Sequence, residues 1–317
     1  MTTVVIPAHN EGQVIPRLLE QLINGADPGE MDIIVVANGC TDDTAEVAAS
    51  FGPAVRVLTL PVASKHEALT AGDRAAAGFP RIYVDADVEL GADDARALAA
   101  ALHQPGVLAA APRRELVMAG RPWQVRWYYD VWTQLPVVQR GLWGRGVLAV
   151  NEAGHRRLAA LPQLQADDLA ASLTFEPHET VLVPGARVII HLPLTLAGLL
   201  SRRARCVTGV AQIERGQDLD GSADRTRISD LSAVIRHRPG MLLRVGYFLS
   251  VTVFARLRAS RARARGDYVT WLRDDSSRTA AATAAARPAM PSVDGRAVTV
   301  AAVPRQLDGR DRVPHDR

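Results

Sequence analysis

Little in this sequence points to covalent staples or to a membrane-spanning helix. Only two cysteines occur, Cys40 and Cys206. Two are too few for a disulfide framework, so a reducing compartment, the cytoplasm, is the expectation. No stretch of about 18 or more uninterrupted apolar residues is present, and no spanning helix is expected on that count. The opening MTTVVIPAHNE runs straight into a strand-like segment with no secretory leader pattern. There is no G-x-G-x-x-G and no G-x-x-x-x-G-K-[ST], which excludes a dinucleotide fingerprint and argues against a P-loop nucleotidase. No internal repeat is found, nor an obvious nucleophile–base constellation.

What is present suits a large globular fold. The chain has 317 residues, 48% of them hydrophobic, and a net charge of +3. The sequence pI is about 9.2. The basic excess is uneven, because arginines crowd the region after residue 200. Such a half suits a phosphate-rich partner or an anionic membrane face.

The first hundred residues alternate short apolar runs with helical periodicity. TTVVIP, DIIVVAN, AVRVLTL and RIYVD read as strands. EGQVIPRLLEQLING, CTDDTAEVAASFG, SKHEALTAGDRAAAGF and ADDARALAAALHQ read as the helices between them. This rhythm predicts a mostly parallel central sheet flanked by helices. Ligands bind such sheets at the carboxyl ends of the strands. The loops to watch are therefore PAHNE, ANGCTDD and DADVE. Residues 113 to 150 are less regular, with an aromatic stretch at 123 to 132 and a glycine-rich GLWGRG. ETVLVPGARVIIHLP reads as two short strands and TLAGLLSRRARCVTGVAQIERG as a basic amphipathic helix. GMLLRVGYFLSVTVFARLRASRARAR is apolar, then strongly basic, which suits either an interfacial helix near anionic lipid or a helix packed on the body. From about Ser276 the composition predicts a disordered tail.

Several side chains in these loops could carry chemistry. Asn38 could bond a base or ribose edge, although Asn-Gly is also an ordinary turn dipeptide. Lys65 could neutralise a phosphate, or be a solvated surface lysine. Asp85, Asp87 and Glu89 stand on alternate positions, so in an extended segment they share one side. Hard oxygen donors of this kind suit Mg²⁺ or Mn²⁺; the bland reading is an acidic strand end. Asp167 and Asp168 could supply a general base or a helix N-cap. His191 could ligate a metal or be structural. Arg202, Arg203 and Arg205 could hold a diphosphate, or form a solvated or lipid-facing basic face.

The order VVIPAHNE, VVANGCTDDTA, KHEALTAG, YVDADVEL, GRG with ADD, and RRARC resembles the family 2 glycosyltransferases with a GT-A-type fold, over about residues 2 to 215. The resemblance implies an inverting transfer of sugar from a nucleotide-diphosphate sugar, with a divalent metal, Mg²⁺ or Mn²⁺. It implies that Pro7, His9 and Glu11 line the nucleotide pocket, with Asn38 in place of the usual base-contacting acid and Lys65 near base or phosphates. Asp85 would meet ribose or metal, Asp87 would be the main metal ligand, and Glu89 an additional one. Asp168 would be the catalytic base, Asp167 standing where the family has glutamate. Arg202, Arg205 and Cys206 fall in the family's Q-x-x-R-W frame, where only Arg205 agrees, which argues against a processive synthase. The expected organisation is a catalytic domain over 1–217, a C-terminal helical region over 218–275 that either contacts a membrane or packs on the catalytic domain, and the disordered tail over 276–317. The acceptor, a lipid carrier, glycan, peptide or small molecule, would meet the 123–132 stretch and GLWGRG. No nucleic acid partner is expected, and a role in cell-envelope polysaccharide or glycolipid assembly is implied. Two other readings compete: a sugar nucleotidyltransferase, disfavoured by the lack of a Gly-rich basic loop after the first strand, and a non-catalytic nucleotide-sugar binder or membrane scaffold.

Overall fold

A computed structural model describes residues 1–161, 174–216 and 226–264, with side chains described up to 207 and from 226 to 261 in the last two segments. The 276–317 tail lies outside the described residues.

Eight strands form one sheet in the order β3-β2-β1-β4-β7-β6-β8-β5. β1 (Thr2–Ala8) lies between β2 (Met31–Asn38) and β4 (Arg81–Val84), and β3 (Val55–Leu60) flanks β2, all parallel. Val4, Val5 and Ile6 and their neighbours Ile34, Val35 and Val36 are fully buried. Helices cover both faces here, which is why these strands read as continuous apolar runs rather than alternating ones. α1 (Ile15–Asn24) packs on one face through Ile15, Leu18, Leu19 and Leu22. α2 (Thr44–Ala49) follows β2, and α3 (Lys65–Ala75) starts at Ser64, whose hydroxyl accepts from the Glu67 amide at 3.2 Å. That bond satisfies one of the orphan amides of the first helical turn. α4 (Ala92–Ala101) follows β5 (Val88–Glu89).

The other half of the sheet is mixed. β7 (Val147–Val150) runs antiparallel to both β4 and β6 (Ala109–Val117), and β8 (Thr180–His191) runs parallel to β6 and antiparallel to β5. The sequence suggested two strands in ETVLVPGARVIIH, and the structure has one. Pro112 pairs with Val183 and Arg113 with Arg187, so Pro184, Gly185 and Ala186 are accommodated as an irregularity in a continuous strand. β6 escaped notice because Pro112 and two arginines interrupt its apolar pattern.

A helical collar packs at this end. α5 (Trp123–Trp132) and α6 (Pro136–Arg140) precede β7, and α7 (Glu152–Ala159) follows it. α8 (Leu196–Gly216), α9 (Ile228–His237) and α10 (Leu242–Ala264) complete the set. The core shared by α5, α6, α8, α9 and α10 includes Tyr128, Val131, Val138, Leu199, Leu231, Val245 and Phe248. The absence of an uninterrupted apolar run concealed one property of α10. Arg244 breaks the run, yet Pro239–Arg261 is a helical segment of 23 residues, long and apolar enough to cross a membrane by length and composition.

Candidate active site

The carboxyl edge of the parallel strands is tied together by side chains donating to and accepting from neighbouring loops. After β1, His9 Nδ1 donates to the Asn38 carbonyl at 2.7 Å. Asn10 sits at φ 51°, a left-handed conformation that Asn tolerates better than most residues. There its Oδ1 accepts from the amides of Thr41 at 2.6 Å and Asp42 at 3.3 Å. The Glu11 amide donates to Thr44 Oγ1 at 2.8 Å and the Gly12 amide to Asp42 Oδ2 at 3.2 Å. Cys40 Sγ lies 3.4 Å from the Asn10 amide. The TDDT segment, which reads in sequence as an acidic helix start, therefore spends its polar atoms on the PAHNEG loop.

Asn38 is the centre of this weave. It is only 2% exposed. Its Nδ2 donates to the Ala8 carbonyl at 2.8 Å, and its Oδ1 accepts from the Ser64 amide at 3.0 Å. One side chain thus joins the ends of β1 and β2 to the start of α3. The base-contacting side chain that the resemblance implies is turned inward here. Gly39 follows at φ 56°, and a Cβ there would come within 2.8 Å of the Ala63 Cα. Asn38-Gly39 is thus a turn, as the dipeptide suggested, and its asparagine also ties neighbouring segments together.

The carboxylates follow β4. Asp85, Asp87 and Glu89 are partly exposed, whereas Ala86, Val88 and Leu90 between them are buried. Ala86 and Asp87 form a turn, with the Val88 amide 3.4 Å from the Asp85 carbonyl, so the alternation comes from a turn followed by the short β5 and not from the extended segment that the spacing suggested. The Asp85 amide donates to the Gly146 carbonyl at 2.8 Å. Gly146 has φ 67°, and a Cβ there would lie 2.7 Å from Val88 Cγ1 and 3.3 Å from Asp85 Oδ2. Only glycine lets the GLWGRG loop approach so closely. Lys65 Nζ stands 2.7 Å from Asp85 Oδ1, each side chain about one-third exposed (30% and 33%). A positive charge thus already stands against the first aspartate.

Arg145, beside Gly146, is 3% exposed. Its guanidinium donates to the carbonyls of Pro112 at 3.0 Å, Gly141 at 2.9 Å and Gln139 at 3.2 Å. Burial pushes its pKa down to about 10, so it stays charged at neutral pH. It holds the loop that carries Gly146. The sequence marked the three glycines of this loop and missed the arginine, whose signal was a lone Arg between two glycines that need positive φ.

Glu89 and His191 form a second cluster. His191 Nε2 stands 2.5 Å from Glu89 Oε1, and Gln21 Nε2 donates to Glu89 Oε2 at 2.8 Å. Arg17 Nη1 lies 3.3 Å from the same imidazole nitrogen. The hydrogen bond from His191 holds the Glu89 carboxyl below its ordinary pKa, with the nearby positive charge of Arg17 adding to it. Arg17 and Gln21 are one helical turn apart and share a face of α1; that spacing was the available signal for them. Arg202 Nη1 reaches the His191 carbonyl at 3.4 Å. Arg203 is directed instead over the Tyr128 ring, 5.6 Å from its centroid. Arg205 is exposed and Cys206 half-buried. Glu89 and His191, both expected as metal ligands, here face each other across the β5–β8 pair.

Among the described residues no three His, Cys, Asp or Glu side chains are gathered to hold a metal ion. This is compatible with Mg²⁺ or Mn²⁺ chemistry, because Mg²⁺ sites often use one or two carboxylates and take further oxygens from a substrate's phosphates. Asp85 and Asp87, hard donors that are both partly exposed, fit that donor set. Asp167 and Asp168 lie outside the described residues. The aromatic stretch expected to meet an acceptor is mainly core: Tyr128, Tyr129 and Trp132 are buried, and Trp123 is 53% exposed.

The sequence model of glycosyl transferase family 2 matches residues 3–154. A protein of Mycobacterium tuberculosis described as an uncharacterized glycosyltransferase is 35% identical over 124 residues, which is 39% of this chain and 54% of that protein. The chain thus spans about half the length of the curated relatives it matches. Among solved structures, the mannosyltransferase PcManGT from Pyrobaculum calidifontis, in complex with GDP-Man and Mn²⁺, superposes with a TM-score of 0.54 at 19% identity, over 89% of this chain and 86% of that one. Glucosyl-3-phosphoglycerate synthase from Mycobacterium tuberculosis, with Mn²⁺, UDP-Glc and phosphoglyceric acid, gives a TM-score of 0.51 at 20% identity, over 67% and 79%. The fold they share with this chain is the GT-A fold.

Proposed function

Residues 3–154 of this chain belong to glycosyl transferase family 2, and from that premise we propose an inverting transfer of a sugar from a nucleotide-diphosphate sugar to an acceptor hydroxyl. The observation that carries the reading is the pairing of Lys65 with Asp85 at 2.7 Å beside Asp87, where the start of α3, tied to the end of β2 through Asn38, meets the loop after β4. Lys65 faces phosphate oxygens. The backbone of the His9–Glu11 loop, with Pro7 behind it, borders the nucleotide, and Asn38 keeps that loop in register. Asp87, with Asp85, would hold a divalent cation, which when bound supplies Lewis-acid neutralisation of the departing diphosphate. Arg202 and Arg205 add positive charge on the same side as His191.

Asp168 is the proposed base. Its carboxylate takes the acceptor hydroxyl proton while the acceptor oxygen bonds the anomeric carbon, and the bond from that carbon to the diphosphate oxygen breaks on the opposite face. A single in-line displacement needs no enzyme nucleophile. The donor's sugar and base are open to a panel of nucleotide sugars assayed with Mn²⁺ or Mg²⁺ for nucleoside diphosphate release.

Two substitutions test the roles. Asp87→Ala should lower transfer by about a hundredfold or more and remove the metal-dependent part of donor binding. Calorimetry showing unchanged donor affinity in excess Mn²⁺ would sink that assignment. Asp168→Asn should lower turnover by about a hundredfold to ten-thousandfold with donor affinity kept. Equal loss of affinity and turnover would count against the base. Release of pyrophosphate instead of a nucleoside diphosphate would identify a nucleotidyltransferase.

A further inference from the structure

α10 has two apolar faces and the protein covers one of them. Met241, Val245, Phe248, Val251, Ala255 and Ala259 are buried against the collar. Phe248 stacks on Tyr128 with ring centroids 4.8 Å apart. On the opposite side Leu242 (60%), Leu243 (74%), Leu249, Val253, Phe254 and Leu257 are exposed. At about 100° per residue these positions fill an arc of roughly 140°, as wide as the face an amphipathic helix normally buries. Exposed apolar side chains in such a contiguous stripe mark an interaction surface.

The charge pattern selects the occupant. Arg256 and Arg258 are exposed on the two edges of the stripe, and Arg261 is exposed one turn further on. No aspartate or glutamate occurs from Leu231 to Gly266. Arginines in these places can extend their stems along apolar surface while their heads meet phosphates. An aromatic group stands beside the stripe: Trp123, 53% exposed, lies 5.0 Å from Trp127 and 5.5 Å from Tyr247, ring centre to ring centre. Trp and Tyr are the side chains suited to the boundary between water and acyl chains.

We propose that this face of α10 docks on the surface of a bilayer containing anionic lipid, with the helix lying in the interface. The helix is long enough to span, but spanning would strip Phe248 from Tyr128 and break the ion pair of Arg244 Nη1 with Asp130 Oδ2 at 2.9 Å. Lying flat keeps both contacts and buries the stripe. The inference is independent of the proposed sugar transfer, because it rests on the collar alone.

Flotation of the full chain with vesicles of phosphatidylcholine, with and without phosphatidylglycerol, tests it. Strong binding is expected only when the anionic lipid is present, and it should weaken as salt rises. Leu249→Glu with Phe254→Glu should abolish flotation without lowering the thermal midpoint, because both side chains are exposed in the folded protein. Arg256→Gln, Arg258→Gln and Arg261→Gln together should weaken binding by about a hundredfold, whereas Arg74→Gln on α3 should leave it unchanged. No flotation with either vesicle, equal flotation with both, or flotation of the double glutamate variant at the wild-type level would overturn the proposal. So would a dimer in light scattering that the double glutamate variant dissolves, since the stripe would then be a contact between copies.

Discussion

The carboxyl edge of the parallel strands and the helical collar are built on opposite terms. At the strand edge His9, Asn10, Asn38, Asp42, Thr44 and Lys65 are all engaged in polar bonds between loops. In the collar the contacts are aromatic and aliphatic, Tyr128 on Phe248 and Tyr129 edge-on to Trp132. Hydrogen bonds are directional, so they fix the positions of loops to within a fraction of an ångström. Apolar burial is non-directional and fixes elements by area. The first construction suits a site that must hold a charged ligand in one pose. The second suits a base that carries an interaction face, and there the protein leaves apolar side chains in water.

This contrast predicts that the two regions fail differently. Asp87→Ala should remove activity and leave unfolding nearly untouched, since Asp87 is partly exposed. Tyr128→Ala should do the reverse in magnitude. Tyr128 is fully buried and packs on Phe248 and Tyr129. Truncating it should cost about 3–5 kcal/mol of stability, read as a fall in the urea midpoint. A Tyr128→Ala protein of wild-type stability would mean that the collar is not packed as described. Tyr128→Phe sharpens the test, because it keeps the ring stack and should cost far less.

Asn38 is the next largest effect and belongs to the polar side of the comparison. Asn38→Ala leaves the Ala8 carbonyl and the Ser64 amide without the partners they have here. The expected loss is about 2 kcal/mol, with a rise in donor KM as the loops loosen. Asn38→Asp separates staple from ligand. It keeps an acceptor for Ser64 but sets a carboxylate oxygen against the Ala8 carbonyl, so it should destabilise as well. An Asn38→Asp protein that is equally stable and binds donor more tightly would restore the base-contacting role to this side chain.

Much of the strand edge was legible because its signals are local. Apolar runs ending in polar turns announced β1 to β4, whereas the two-residue period of DADVE suggested an extended segment and gave no sign of the turn at Ala86 and Asp87. The mixed half was less legible. β6 mixes alanines with Pro112 and arginines, and β8 carries Pro184-Gly185 in mid-strand, so local propensity argued against what tertiary pairing imposed. In the site, individual residues were visible and their partners were not. Nothing in sequence could set Gln21 and Arg17 against Glu89 and His191, because those contacts span 68 to 174 positions. The stripe on α10 was half visible: the sequence showed an apolar helix running into arginines, and only packing shows which face is left over.

A smaller effect lies in a half-buried polar cluster that joins β4 to α3 and α7. The Tyr83 hydroxyl donates to Asp73 Oδ1 at 2.9 Å, and His155 Nδ1 lies 2.9 Å from the same hydroxyl oxygen. Arg81 Nη1 donates to Asp73 at 2.8 Å and stands 3.5 Å from His155 Nε2. With the Tyr83 hydroxyl donating to Asp73, His155 donates from Nδ1 to the hydroxyl oxygen and presents a bare Nε2 to the guanidinium. Burial, then the charge of Arg81, holds the His155 pKa below its ordinary value, against the opposite pull of Asp73 and Glu152. The unfolded chain therefore binds a proton near pH 6.5 that the folded one resists. The stability this confers is complete above that pH and is lost as pH falls toward the folded value. Urea unfolding between about pH 7.5 and 5 should show this decline, and His155→Gln should flatten it while leaving the activity-linked side chains at the strand edge alone. A slope unchanged in His155→Gln would assign the decline to other groups and leave this cluster electrically silent, a packing element like the collar and unlike the strand edge.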